Sequence, residues 1–196
     1  MREFLNGTIE GYLKELAGRS SVPGGGSASA LAGAIGSSLS LMALNYSIKP
    51  GCGAGLEEAR ARQEKCRETF SRMVDEDCRV FKALMEAIAS GKDVQKRYTE
   101  AAAVPLDICR ECEVSTGIIS GTYRETGKKL LTDAGCAVHM LRAAFYSARL
   151  NVEINLKFIE DKGYVVAARE ELEALEKSIA EKSAGILARV ITAMKG

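Results

Sequence analysis

Apolar residues recur at three- and four-residue spacing from position 56 to the C-terminus, and no stretch of the chain alternates apolar with polar residues. That periodicity is helical and leaves no candidate strand. Thr8 is an N-cap for a first short helix to about position 17. A small-residue helix follows over about 27–48, stopped by Lys49-Pro50-Gly51-Cys52-Gly53-Ala54-Gly55. The stripe Cys66, Phe70, Met73, Asp77, Val80, Leu84, Ile88 marks a long helix over 56–89, which Ser90-Gly91 ends. Asp93 caps a further helix that meets Pro105, where it must break or kink, before running on to about 123. Positions 124–131 read as a loop. Thr132-Asp133 cap a helix to about 161, with Gly163 as its stop, and a last helix over 164–194 carries Leu172, Leu175, Ile179, Ile186 and Val190 on one side. The expectation is all-α: one domain over 1–196, an up-and-down bundle of about five long helices plus a short N-terminal one.

Within that frame the run Ser21-Val22-Pro23-Gly24-Gly25-Gly26-Ser27 stands out, because three glycines bury no side chains yet directly precede a helix. Such a loop can adopt φ > 0 and bring its backbone close to a ligand, with Ser27 as helix cap. The free N–H groups of the first turn then favour a carboxylate or phosphate. A tight interhelical turn is the plainer alternative. No strand precedes the glycines and no Gly-Lys-Ser/Thr follows them, so dinucleotide and P-loop chemistry are excluded.

Charge narrows the partners. Twenty-seven basic against 26 acidic residues leave +1, so no global field recommends nucleic acid or an anionic membrane. A small molecule or a second copy is the expected partner. The stretch 28–46 reads as short and weakly apolar for a membrane span, hence as a buried helix whose small residues Ala30, Gly33, Ala34 and Ser37 admit a close neighbour. The first residues lack the apolar run of a leader, which makes a cytoplasmic location the expectation. Six cysteines, including the lone pair Cys109/Cys112, read as reduced core residues. The single histidine, His139, cannot furnish a paired Glu-x-x-His site, and no metal is expected.

Polar residues on apolar stripes carry more information than charges on outer faces, because their burial is costly without partners. Asp77 is the first: it either bonds a helix terminus or an arginine, or does chemistry. Asp133 opens a helix, which N-capping alone would explain. Asn151 and Asn155 share a face inside Asn151-Val152-Glu153-Ile154-Asn155-Leu156, and either cross-link helices or grip a heterocycle rich in amide groups.

These segments together resemble the cyclodeaminase/cyclohydrolase family of folate enzymes. The resemblance rests on Pro23-Gly24-Gly25-Gly26-Ser27 with Ala30-Leu31-Ala32-Gly33-Ala34, Asp77 with Phe81, Pro105-Leu106, Thr132-Asp133-Ala134, and the Asn151–Leu156 segment. Where the family often has Gly-Asn, this chain has Gly127-Lys128-Lys129. The resemblance implies hydrolysis of 5,10-methenyltetrahydrofolate to the 10-formyl compound, or ammonia release from 5-formiminotetrahydrofolate, with no cofactor beyond the folate itself. It implies Asp77 and Asp133 as catalytic carboxylates, and Pro23, Gly24, Gly25, Gly26, Ser27, Thr132, Asn151 and Asn155 as substrate contacts. Lys128 would receive a glutamate carboxylate of the folate tail, and His139, Lys128 and Tyr123 are possible acids for departing ammonia. A homodimer is also implied, its interface on the Leu172/Leu175/Ile179 seam or the small-residue helix. That same seam, read alone, suits a coiled-coil scaffold.

Overall fold

The computed structural model describes residues 4–49 and 54–195. Among them are six α-helices and no strand: α1 (Ile9–Leu16), α2 (Gly25–Ser47), α3 (Ala54–Ser90), α4 (Val94–Thr122), α5 (Leu131–Leu156) and α6 (Lys162–Lys195). Most of the second glycine-rich connection, Pro50 to Gly53, lies outside the described residues. Thr8 caps α1 as its type predicts, its hydroxyl accepting from Gly11 N–H at 3.0 Å. Gly91, at φ +69°, ends α3 in the left-handed region that glycine takes without strain.

Helices α2, α3, α4 and α5 pack in a ring, each against the next and α5 against α2, with α6 laid along α4 and α5. The register of α2 on α3 can be read from the glycines. A Cβ at Gly33 would lie 2.5 Å from the Phe70 ring, and one at Gly26 would lie 2.0 Å from Asp77 Oδ1. Seven residues back along α2 thus correspond to seven forward along α3, two turns on each, so the pair is antiparallel at close range. On the other side of α2, Gly36 meets Leu141 of α5 and Gly25 meets Asn151, again in opposite directions. The first turn of α2 is therefore wedged between α3 and α5.

Several local expectations need correction. By length and composition α2 is long and apolar enough to cross a membrane, at 23 residues rather than the shorter span expected; here it is packed by α3, α4 and α5. Pro105 does not break α4. Helix α5 opens at Leu131 behind a 3-10 turn, so Thr132 and Asp133 sit inside its first turn instead of capping it. It stops at Leu156, and Gly163 lies in the first turn of α6, where Asp161 accepts from Tyr164 N–H. The seam of α6 is internal: Leu172, Ile179 and Ile186 are buried and Leu175 packs against the same core. A coiled-coil scaffold built on that seam loses its free face.

Cys66, Cys78, Cys109 and Cys112 are free and buried, whereas Cys136 is exposed. Burial pushes the Cys109 thiol to about 12 and raises those of Cys66, Cys78 and Cys112 as well. Since the thiolate is the reactive form, a maleimide is expected to label Cys136 well before these four in the native protein. Mass mapping of the tryptic peptides checks the order.

Candidate active site

Between the start of α2 and the facing stretches of α3, α4 and α5 is a cavity of about 350 Å³. Its floor is Gly24, Gly25 and Gly26; its polar groups are Asp77, Asn151 and Asn155; its apolar walls include Val80, Phe81, Leu84, Met85 and Ile154. At its rim Tyr98 stacks on Phe158, ring centroids 5.0 Å apart and planes inclined by 16°. Gln95 fixes that pair by clasping the turn after α5, donating to Phe158 C=O and accepting from Glu160 N–H.

The glycines serve closeness, and the expected positive φ is absent from the loop. Gly24 is extended at φ −128° and caps α2 without a side chain. Gly26 must be glycine because Asp77 occupies the place of its Cβ, and a Cβ at Gly25 would come within 3.2 Å of Asn151 Nδ2. Ser27 is not the cap. Its hydroxyl is fully buried and bonded to Tyr12 OH at 3.1 Å, while its main-chain N–H donates to Asp77 Oδ2 at 2.8 Å. Ser27 and the buried Pro23 therefore stand behind the loop, outside the cavity lining.

Asp77 answers both readings of its place on the stripe. One oxygen bonds a helix terminus and the carboxyl also lines the cavity. Burial raises its pKa to about 6, opposed only by the Ser27 N–H bond, and no cation among the described residues is paired with it. Gly25 and Gly26 N–H, at the positive end of α2, have no acceptor among the described residues.

The two asparagines are held as acceptors. Asn151 Nδ2 donates to Ser147 C=O, and Asn155 Nδ2 donates to both Asn151 C=O at 2.8 Å and Ala101 C=O at 3.2 Å. Their Oδ1 atoms have no protein donor among the described residues. The cavity thus offers a carboxylate from α3 and amide oxygens from α5, which suits a ligand rich in N–H groups.

The rest of the expected constellation is elsewhere. Asp133 lies on the same face of α5 as Asn151, but 18 residues away, about 27 Å along the axis. Thr132 is exposed beside it. The Lys128 backbone opens the 3-10 turn before α5, and its side chain lies outside the described residues. His139 is exposed midway, and Tyr123 is buried at the far end of α4, its hydroxyl accepting from Arg124. Asp133, Thr132, His139 and Tyr123 do not line the cavity with Asp77. Tyr98, Phe158, Met85 and Ile154 were not singled out from the sequence. Ile154 and Phe158 share the helical spacing of Asn151 and Asn155 and could have been found from it.

An amide-lined pocket with one carboxylate, at the mouth of a glycine-opened helix in a helical bundle, has the form of a small-molecule site. The chain belongs to the formiminotransferase-cyclodeaminase family, whose sequence profile matches residues 8–174. It is 32% identical over 194 residues to methenyltetrahydrofolate cyclohydrolase of Methylorubrum extorquens, covering 91% of this chain and 92% of that protein. It is 24% identical to formimidoyltransferase-cyclodeaminase of Mus musculus, of which it spans 37%. The solved formiminotetrahydrofolate cyclodeaminase of Thermotoga maritima superposes with a TM-score of 0.88 at 26% identity, over 94% of this chain and 97% of that one.

Proposed function

We propose that this protein is a folate one-carbon enzyme that hydrolyses 5,10-methenyltetrahydrofolate to 10-formyltetrahydrofolate. The observation that carries the reading is Asp77, a largely buried carboxylate that faces the cavity with no counter-charge among the described residues. A substrate cation supplies what it lacks. The donor edge of a reduced pterin meets the Asn151 and Asn155 oxygens, and the ring system fits against the Tyr98–Phe158 pair. Water adds to the amidinium carbon while Asp77 takes one of its protons; the carbon–N5 bond then breaks, N5 receives that proton, and the second proton goes to solvent. The free N–H groups of Gly25 and Gly26 can hold an oxygen that gains charge in the addition.

The 91% coverage by the cyclohydrolase relative favours hydrolysis. The likeness to the Thermotoga maritima structure favours ammonia release from 5-formiminotetrahydrofolate as the second reading, with Asp77 in its protonated form as the acid. Asp133 and Thr132 do not line this cavity, and Asp77 is the one carboxyl group used in the proposed step. No cofactor or metal beyond the folate enters it. A cytoplasmic homodimer is part of the proposal, with exposed Leu150 and Ile154 on α5 and Phe158 in the turn after it as available apolar surface.

Purified protein is expected to accelerate the loss of the near-ultraviolet band of 5,10-methenyltetrahydrofolate at least tenfold over spontaneous hydrolysis, without releasing ammonia from the 5-formimino compound. Ammonia release would move the assignment to the second reading. No acceleration of either reaction would remove both.

A further inference from the structure

Helix α4 runs unbroken through Pro105, although proline has no N–H to give the carbonyl four residues back and its ring presses on that carbonyl. The carbonyl so released belongs to Ala101, on the cavity wall. It does not go unpaired: Asn155 Nδ2 reaches across from α5 and donates to it, while its other hydrogen goes to Asn151 C=O. With both hydrogens engaged, the amide cannot rotate without breaking two bonds, and only Oδ1 is left for a ligand.

We propose that Pro105 is a positioning residue for the substrate site. By withholding an N–H from the Ala101 carbonyl, it locks the Asn155 amide with its oxygen presented to the cavity, so that this subsite accepts a hydrogen-bond donor and rejects an acceptor. Pro105 itself touches no ligand. An alanine at 105 would bond Ala101 C=O within the helix and compete with Asn155 for it; the amide, with one hydrogen released, could turn its NH2 toward the ligand. The inference rests on the folate reading only for the identity of the ligand.

The test compares the parent with Pro105→Ala. Alanine is the better helix residue, so the variant is expected to melt no lower than the parent. Its KM for 5,10-methenyltetrahydrofolate should rise about tenfold with kcat within about threefold, the size expected for one misdirected hydrogen bond. The second readout needs no substrate. In the 1H–15N spectrum the Asn155 side-chain pair, identified by its disappearance in Asn155→Ala, should show two shifted, slowly exchanging protons in the parent and only one in Pro105→Ala. An unmoved Asn155 pair overturns the proposal, even if the protein proves inactive on folates. A KM increase from Pro105→Ala that persists in the Asn155→Ala background also overturns it, because Pro105 would then be acting through something else.

Discussion

Asp77→Asn is expected to give a protein that is more stable than its parent and at least 100-fold slower. The rate loss follows from removing the one carboxylate among the described residues that lines the cavity, since general-base catalysis contributes on the order of 10²–10⁴-fold. The gain in stability follows from the direction in which burial has moved this acid. Its pKa is about 6 folded against an ordinary 3.8, so the folded state holds the proton more tightly than the unfolded one. The resulting penalty is absent below pH 3.8, grows as pH rises toward 6 and is complete above it. It amounts to about 3 kcal/mol, or roughly 6–12 °C in Tm for a chain of this size. Asparagine keeps an acceptor for Ser27 N–H. Thermal melts at pH 4 and pH 8 should therefore show only a small gap between variant and parent at the lower pH, about 0.5 kcal/mol, and the full gap at the higher. The parent's kcat/KM should rise with pH through about 6 while the variant's stays flat. A gap in Tm that is the same at both pH values would refute burial as its origin, and undiminished turnover would refute the base.

Gly26→Ala attacks the same carboxylate from the opposite side. The new methyl would sit 2.0 Å from Oδ1 and 2.5 Å from Cγ of Asp77, and both helices are long and well packed, so the carboxyl must swing away. That breaks the bond from Ser27 N–H, of the charge-assisted kind worth about 1.5–3 kcal/mol, and adds overpacking of about 1–3 kcal/mol. The release of the buried carboxyl offsets part of this. A net loss of about 2 kcal/mol is expected, with turnover falling to near the Asp77→Asn level. Gly24→Ala is the internal control. Nothing lies within 4 Å of its Cβ position and its backbone is extended, so stability should change by less than about 0.5 kcal/mol. Denaturant unfolding of the two variants, side by side with the folate assay, separates a need for closeness at Gly26 from a general need for a flexible loop. Equal losses in both would favour flexibility.

How much of this could be read from the residues depended on whether the cause was local. Helical periodicity, the Thr8 cap and the Gly91 stop act within a few residues, and they placed α1, α3 and α6 to within about two residues of the observed ends. Asp77 and the asparagines stood out because polar groups on apolar stripes demand partners, and those partners are now visible. Depth along a helix was not legible. Asp133 falls on the face of Asn151 because 18 residues are five whole turns, yet five turns also carry it to the other end of the bundle. Pro105 reads as a break or kink because its own helix cannot satisfy Ala101, whereas the satisfaction comes from α5, 50 residues later. The Ser27 hydroxyl was assigned by type to a cap that its main chain, through Asp77, makes unnecessary. Tyr98 and Phe158 lie 60 residues apart, and only the clasp of Gln95 makes them a pair.

The glycines of α2 tie the pocket to the core by arithmetic. Gly26 and Gly33 are one heptad apart, matched to Asp77 and Phe70, and a single residue inserted between them would rotate one relative to the other by about 100°. Either Asp77 or Phe70 would then face a side chain where it needs a vacancy. Insertions and deletions are consequently barred from 26–33 even though the glycine loop ahead of it takes no positive φ. Lineages descended from this chain can exchange the rim residues that choose among ligands, but they must inherit the glycine loop and the buried helix as one uninterrupted cassette.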